Sequence, residues 1–221
     1  MSDHFVSHKP AGQEGGLVAR KLDKVIERLP WYLFAVQDLH GHGIVRVSSE
    51  DIARKVGVKS WLVRRDLSQF GEFGRASVGY EIERLRECLS DILHLTTARN
   101  GAWVGAARID ADKSLIMRLR EHKFNIVGIF DSDVSRVPEM IGGVRVASLA
   151  DMPRMINELN VECGIIATSN EEAQSVTDSL IAAGVRGILN LTSTLVVAPS
   201  SVCIRNHDVV AELFALSYHC G

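Results

Sequence analysis

A chain of 221 residues, of which 46% are hydrophobic and 24% are charged, is long enough to bury one large core or two small ones. Its formal net charge of −2 gives no overall sign of nucleic-acid binding, so any basic surface has to be local. Its four cysteines stand without C-x-x-C spacing, which argues against a zinc site and against a disulfide framework.

The first sixteen residues are polar and rich in glycine, and they contain no apolar stretch. They match neither a signal peptide nor a membrane-spanning segment. We therefore predict a disordered tail over 1–16 and a cytoplasmic protein without a membrane partner.

From residue 17 to about 86, apolar residues recur at helical spacing between turn-forming residues, which predicts a small helical domain that ends in a hairpin. Residues 17–85 carry twelve Lys and Arg against nine Asp and Glu, a net charge of +3, which leaves −5 for the remainder. This asymmetry indicates a polyanion as the partner of the first domain.

A helix-turn-helix is predicted inside this domain. Ser48 and Ser49 can cap a helix over 50–56 with acids in its first turn, and Gly57 can end that helix in a tight turn. A second helix starts near Ser60. In a helix-turn-helix the second helix enters the major groove of DNA. The alternative is a plain helical hairpin with a solvated basic face.

Several side chains on and around the second helix are candidates for contacts to DNA. Arg64 and Arg65 can pair with phosphate or guanine, and Ser60 can donate to a phosphate. Trp61 is either an apolar contact to base methyl groups or a packing residue. A glycine-rich stretch that follows predicts a hairpin wing, with Arg75 able to reach a minor groove. The full set of candidates is Ser49, Lys59, Ser60, Trp61, Arg64, Arg65 and Arg75.

Beyond residue 100 the pattern changes to short apolar runs that alternate with amphipathic helices. Such alternation predicts a parallel sheet, and continuous apolar runs are typical of strands covered on both faces of a doubly wound fold. A final helix over 208–219 is free to pack elsewhere, for example on a partner chain. The predicted strands are Ala102–Val104, Ile126–Phe130, Val144–Val146, Cys163–Ala167, Gly187–Leu191 and Val202–Ile204.

The run VSSEDIARKVGVKSWLVRRDLSQFGEFGRASVGY resembles the N-terminal domain of the Rex redox-sensing transcriptional repressors. The later segments FDSD, IGGV, GVRGILN and RNHD are similar to Rex segments in the same order, so the resemblance covers about 20–218. It implies a repressor, not an enzyme: a homodimer that exchanges its C-terminal helix between protomers and binds a palindromic operator in double-stranded DNA. In that family NAD⁺ permits DNA binding, and NADH bound between the Rossmann domains releases it.

The fold class that follows is α/β, with an N-terminal winged helix-turn-helix and a C-terminal Rossmann-type doubly wound parallel sheet. We expect a disordered tail at 1–16, a winged-helix domain at 17–86, a linker helix at 87–98, a Rossmann domain at 99–206 and a C-terminal dimerisation helix at 207–221. The resemblance implies NAD(H) as cofactor. The residues themselves show no catalytic constellation, such as Tyr-x-x-x-Lys, and no metal-ligand spacing, so we expect neither a catalytic nor a metal site. The cofactor-binding candidates are Gly105, Ala106, Ala107, Arg108, Ile109, Asp131, Thr168, Ser169 and Asn190.

The cofactor-binding segment departs from the family pattern. A Rossmann fingerprint uses three glycines, of which only Gly105 is present, while Ala107 and Asp110 occupy the positions of the other two. Asp131, placed to bind the ribose hydroxyls of NAD, is intact.

The residues that respond to the nicotinamide in the family also differ. Phe34 and Ile116 stand where Rex proteins have an arginine and a tyrosine, and only Asp208 remains of this polar network. The second domain is therefore an NAD(H) sensor, a sensor of another ligand such as a different nucleotide, or a ligand-independent dimerisation domain. Two further alternatives are a small NAD-dependent oxidoreductase and an interaction module resembling the nucleotide domains of succinyl-CoA ligase.

Overall fold

A computed structural model describes residues 24–71, 74–75, 79–112 and 114–220. The chain divides into two compact units between Thr96 and Thr97. Within the described ranges, no helix is long and apolar enough to cross a membrane.

The first unit is a helical domain with a small antiparallel sheet. Its three strands follow the spatial order β1-β3-β2, and Arg46 on β1 lies opposite Glu81 on β3. Side chains from helices α1, α2, α3 and α4 meet in one core, which includes Leu29, Ile52 and Val63. The elements are α1 (Leu29–Gly41), β1 (Arg46–Val47), α2 (Ser49–Val56), α3 (Ser60–Leu67), β2 (Gly74–Arg75), β3 (Gly79–Glu81) and α4 (Ile82–Ile92).

The predicted helix-turn-helix is confirmed by α2 and α3. A capping box begins α2: the Asp51 amide donates to Ser48 Oγ over 3.1 Å, and the Ser48 amide donates to Asp51 Oδ2 over 3.0 Å. Gly57 ends α2 with a φ of +76°, a left-handed conformation that glycine adopts without a steric penalty. The antiparallel strands β2 and β3 form the predicted wing hairpin, whose turn at 76–78 lies outside the described residues.

Helix α4 differs in extent from the linker helix expected at 87–98. It begins at Ile82 and ends at Ile92, and residues 93–98 form turns and irregular backbone. The reason is its apolar face: Ile82, Leu85 and Leu89 recur at helical spacing and are buried in the core of the first unit. The helix therefore packs as part of the helix-turn-helix unit.

The second unit is a seven-stranded sheet in the order β10-β9-β8-β4-β5-β7-β6, parallel except for the edge hairpin of β6 and β7. Its six parallel strands have the order of a Rossmann fold. Two apolar cores pack against the sheet, one around Phe130 and Ile166 and one around Trp103 and Ile129. The strands are β4 (Arg99–Val104), β5 (Phe124–Asp131), β6 (Met140–Ile141), β7 (Val144–Ser148), β8 (Cys163–Ile166), β9 (Gly187–Asn190) and β10 (Cys203–Asn206).

Two features distinguish the helices of this unit: one crossover consists of two short helices, and one helix is exposed along its whole length. The first crossover is broken between α5 and α6, and the last helix, α9, has no buried residue. All six predicted strands are present, whereas the two-residue strand β6 was not predicted. The helices are α5 (Ala106–Asp110), α6 (Ser114–Glu121), α7 (Met152–Glu158), α8 (Ala173–Ala182) and α9 (Val209–Ser217).

Candidate nucleic-acid interface and nucleotide cleft

Helix α3 has one buried face and one exposed face. Val63, Asp66 and Leu67 are buried, whereas Arg64 and Arg65 are exposed. Positions three and four apart lie on the same side of a helix, so Trp61 shares the exposed face with both arginines. This face combines two cations with a large apolar side chain, which suits a nucleic-acid groove.

A buried carboxylate attaches α3 to the first helix. Asp66 accepts two hydrogen bonds from the Arg28 guanidinium, at 2.7 and 2.8 Å, and one from the Tyr32 hydroxyl at 2.8 Å. Burial, followed by the hydrogen bond to Asp66, raises the pKa of Tyr32, so the phenol stays a donor. Sequence reasoning missed this cluster and counted Arg28 only as part of the basic surface, although a buried acid needs such partners.

The other predicted DNA-contacting residues occupy different environments. Ser49 is buried, and its hydroxyl accepts a hydrogen bond of 2.9 Å from Arg64 Nη1, so Ser49 orients that guanidinium. Lys59 is exposed immediately before α3, and Ser60 is half-buried as its first residue. Arg75 lies on β2, but its side chain is outside the described part of the chain.

In the second unit, a cleft lies where β4, β5 and β8 end. In doubly wound sheets, ligands bind outside the carboxyl ends of the strands where the strand order reverses, here between β4 and β8. Gly105 follows β4 with a φ of +103°, and a Cβ there would stand 2.4 Å from the Ala167 carbonyl oxygen. Only glycine fits this approach. The cleft measures about 160 Å³ and is lined by Gly105, Ala107, Asp131, Ser132, Ala167, Thr168, Ser169 and Glu172.

Asp131 lies at the floor of this cleft and holds its first turn. Its Oδ2 accepts a hydrogen bond of 2.7 Å from the Ala106 amide, and its Oδ1 accepts one of 3.0 Å from the Asp133 amide. Glu172, which sequence reasoning did not single out, brings a second carboxylate to the lining. Asp131 and Glu172 therefore bring two carboxylates to the cleft, and carboxylate oxygens accept hydrogen bonds from hydroxyl groups such as those of a ribose.

Four of the nine predicted cofactor residues do not line the cleft: Ala106, Arg108, Ile109 and Asn190. Arg108 donates a hydrogen bond of 2.6 Å to the Leu191 carbonyl and does not line the cleft, and Ile109 is buried in the core. Arg108 thus links the first turn of the Rossmann unit to the segment after β9. Of the predicted candidates, Gly105, Ala107, Asp131, Thr168 and Ser169 come together in the cleft.

Asn190, also a predicted cofactor residue, organises the ends of β9 and β10. Its buried amide donates to Asn206 Oδ1 over 2.9 Å and to the Thr194 carbonyl over 2.7 Å. Its Oδ1 accepts hydrogen bonds from the Thr192 amide and hydroxyl. In this arrangement Asn190 stabilises a loop and is not among the cleft-lining residues.

The three predicted switch residues are in unlike settings. Asp208 caps α9: it accepts hydrogen bonds from the Ala211 amide at 2.9 Å and the Ser193 hydroxyl at 2.7 Å, and the serine bond is the main cause of its lowered pKa. Phe34 is exposed on α1 and packs edge-to-face on Trp31, with ring centroids 6.0 Å apart. Ile116 is buried in the core of the second unit.

The described residues contain no cluster of three or more His, Cys, Asp or Glu side chains that could hold a metal ion. In the cleft, the Ser169 hydroxyl donates a long hydrogen bond of 3.4 Å to Glu172 Oε2.

Comparison with known proteins gives matches over both units. A family model described as "Putative DNA-binding protein N-terminus" matches residues 23–68, and one described as "CoA binding domain" matches residues 105–194. A redox-sensing transcriptional repressor Rex of Carboxydothermus hydrogenoformans is 38% identical over 197 residues, which cover 89% of this chain and 95% of the relative. The Rex 1 repressor of Thermotoga maritima is 36% identical over 203 residues, which cover 91% and 97%.

Solved structures show the same similarity across the fold. RSP in complex with β-NAD⁺ and operator DNA matches with a TM-score of 0.81 and 29% identity, covering 89% of this chain and 91% of that one. A second structure of RSP, described as a Rex-family repressor, has a TM-score of 0.78 at 29% identity, covering 89% and 93%. These matches confirm the predicted winged-helix and Rossmann fold. The curated relatives are repressors, which confirms the expectation of a regulator and sets aside the oxidoreductase alternative.

Proposed function

This chain belongs to the Rex family of redox-sensing transcriptional repressors, and from that premise we propose that it represses transcription by binding an operator in double-stranded DNA as a homodimer. The observation that carries the proposal is the exposed face of α3, on which Arg64 and Arg65 stand beside Trp61. The protein RSP, similar in fold, has been solved with operator DNA.

The charge of the first unit supports this assignment. Its surplus of basic residues contrasts with the acidic remainder, so attraction to phosphates is directed to one part of the molecule. Arginine can pair bidentately with the O6 and N7 atoms of guanine, which gives sequence preference in addition to affinity. Because Asp66 holds α3 on the core and Ser49 holds the Arg64 guanidinium, that guanidinium is already partly ordered before binding.

The homodimer is supported by the surface of the second unit. Helix α9 exposes Val209, Leu213 and Phe214, and the segment between β9 and β10 exposes Leu195 and Val197. Apolar surface of this extent is typical of protein interfaces. A second copy of the chain covers it in our proposal, and exchange of α9 between protomers remains part of that proposal. Two winged helices would then meet two half-sites of an inverted repeat.

Fluorescence anisotropy with selected duplexes tests the proposed repressor function. Wild type should bind an inverted repeat with an affinity that falls steeply as salt rises, and Arg64→Ala or Arg65→Ala should reduce both the affinity and the salt slope. Arg118→Ala removes an exposed arginine from the second unit and serves as the matched control. Unchanged affinity and slope in the Arg64 and Arg65 variants would show that α3 is not the DNA-binding helix.

For the cleft, we propose that NADH binds weakly or not at all and does not release DNA. The cleft of about 160 Å³ is smaller than the ~300–1,000 Å³ usual for ligand pockets, and the Ala107 methyl group lines it. Intact Asp131 still offers an acceptor for ribose hydroxyls, which keeps a different nucleotide as a candidate ligand and a ligand-independent domain as the alternative.

Titration calorimetry with NADH, NAD⁺, ATP and ADP distinguishes these possibilities. We expect no heat, or only weak binding, with NADH. Binding of ADP or ATP in preference to the dinucleotides would identify a different nucleotide as the ligand. The absence of binding heat with all four compounds would favour a ligand-independent domain. Submicromolar affinity for NADH would refute the proposal.

A further inference from the structure

Trp61 is a large apolar side chain that the described residues leave largely uncovered. It is 54% exposed, whereas Trp103 in the Rossmann core is 3% exposed. Within the described residues, the Trp61 side chain is not packed in a core, as the packing alternative would require. An exposed tryptophan on an otherwise charged face points to contact with another molecule.

The position of Trp61 on α3 indicates that its contact is with the edges of DNA bases. It is the second residue of α3, and in helix-turn-helix proteins the N-terminal residues of this helix are the ones that contact base edges. Arg64 and Arg65 follow it by three and four positions and share its face. A side chain placed there enters the major groove together with the two guanidinium groups.

The helix that carries Trp61 is firmly held. Asp66, five positions later, is bonded to both Arg28 and Tyr32, and the face opposite Trp61 is packed in the core of the first unit. The indole has only two side-chain dihedral angles to order. It is thus presented to the groove at a small cost in entropy.

The major groove of DNA offers an indole ring one kind of apolar group to pack against. Of the groups that base pairs display in the major groove, the thymine C5-methyl is apolar, and the others are hydrogen-bond donors or acceptors. An indole has a single N–H donor and cannot form the bidentate pairs that identify guanine or adenine. We infer that Trp61 packs on the C5-methyl group of a thymine in each operator half-site, an inference that rests on the proposed DNA-binding function.

The test removes the methyl group from the DNA and the indole from the protein in turn. Duplexes selected by the full-length wild-type protein are resynthesised with deoxyuridine in place of each symmetric pair of thymines, and dissociation constants are measured by anisotropy. We expect one pair to weaken wild-type binding by about fourfold per half-site, as for the loss of one buried methyl-sized group. For Trp61→Ala the same replacement should have no effect. Trp61→Phe, which keeps an apolar ring, should retain part of the sensitivity.

Three outcomes bear against the inference or its premise. If wild type loses no affinity with any deoxyuridine pair, or if Trp61→Ala remains equally sensitive, the thymine contact is refuted. A loss in Trp61→Ala that is the same on every duplex would assign the indole to the sugar-phosphate backbone and also overturn it. Failure of the DNA-binding function itself looks different: wild type then selects no duplex, and Arg64→Ala changes nothing. Far-UV circular dichroism confirms that each variant is folded.

Discussion

The carboxylate of Asp66 is fully buried and accepts hydrogen bonds from the Arg28 guanidinium and the Tyr32 hydroxyl. Removing one member of a buried ion pair leaves the other without its counter-charge, which is more costly than the pair itself is favourable. The Arg28 side chain is 27% exposed and can recover part of its hydration. Loss of Asp66 should therefore act on stability and on the position of α3 together.

We expect Asp66→Asn to lower the free energy of unfolding of the first unit by about 3 kcal/mol, because the neutral amide no longer compensates Arg28. Tyr32→Phe, which removes one hydrogen bond and leaves the ion pair, should cost about 1 kcal/mol. Urea unfolding followed by far-UV circular dichroism measures both. Asp91→Asn, at an exposed position of α4, should stay within about 0.5 kcal/mol of wild type. An equal effect of Asp66→Asn and Asp91→Asn would contradict the buried pair.

The Ser48 cap gives a pH-dependent prediction at the same scale. Hydrogen bonds from the Ser48 hydroxyl and then from its amide lower the pKa of Asp51 in the folded protein. A lowered pKa contributes stability above the unfolded value of about 3.9, and this contribution is lost as pH falls through the folded value. Ser48→Ala should destabilise the protein by about 1 kcal/mol at pH 7, and the difference should shrink below about pH 4.

Thermal unfolding between pH 3 and pH 7 measures this dependence. Ser68→Ala, which removes an exposed hydroxyl from the residue after α3, is the matched control and should show no such convergence with wild type. A difference between wild type and Ser48→Ala that is independent of pH would mean that Asp51 takes no part in the cap.

The structural role of a residue could be predicted from the sequence where its partners are close along the chain. Ser48 and Gly57 lie within ten residues of each other and define both ends of α2, so the sequence alone reveals them. The partner of Asp66 could not be found this way, because Arg28 lies 38 residues earlier and meets it only in the fold. Glu172 was missed for the same reason: it reaches the cleft from the loop before α8, far along the chain from Gly105.

At the scale of elements, the buried strands were the most predictable part of the structure. Strands β4 and β5 are covered on both faces, so their apolar runs are continuous and stand out from the flanking helices. Strand β6 has two residues at the edge of the sheet, too few for a period to appear. The start of α4 was placed too late because its first apolar residue, Ile82, follows the wing without a break.

The exposed apolar surface of helix α9 predicts a dimer interface. Phe214 is 73% exposed, and its neighbours on the helix are apolar as well, so a charge there should disrupt any interface that covers them. We expect Phe214→Glu to shift the protein from dimer to monomer at micromolar concentration in sedimentation velocity, and to weaken operator binding at least about tenfold through loss of the second half-site. Glu212→Gln alters a polar residue of the same helix and should remain dimeric. A dimeric Phe214→Glu variant would place the interface elsewhere.

At the scale of the whole molecule, a sensor requires that binding of a nucleotide to the second unit changes the affinity of the first unit for DNA. The resemblance to Rex implies a polar network through positions 34, 116 and 208. Here Phe34 is an exposed aromatic residue, Ile116 is a core residue and Asp208 is committed to the N-terminus of α9. None of the three settings provides the paired charges that the family arrangement needs. We therefore expect binding of a nucleotide and release of DNA to be separable properties in this protein.

Restoring the two missing glycines of the Rossmann fingerprint should restore nucleotide binding without restoring release of DNA. In Ala107→Gly combined with Asp110→Gly, a methyl group leaves the cleft lining and a carboxylate leaves the adjoining helix, so NADH should bind at least about tenfold more tightly in calorimetry. The same variant should stay on its operator when NADH is added in the anisotropy assay, because Phe34 and Ile116 are unchanged. Asp112→Gly, at an exposed acid just beyond α5, controls for the loss of charge. If the restored variant binds NADH and leaves the DNA, coupling between the units does not need the arginine and the tyrosine; if NADH binding does not tighten, the missing glycines are not what weakens it.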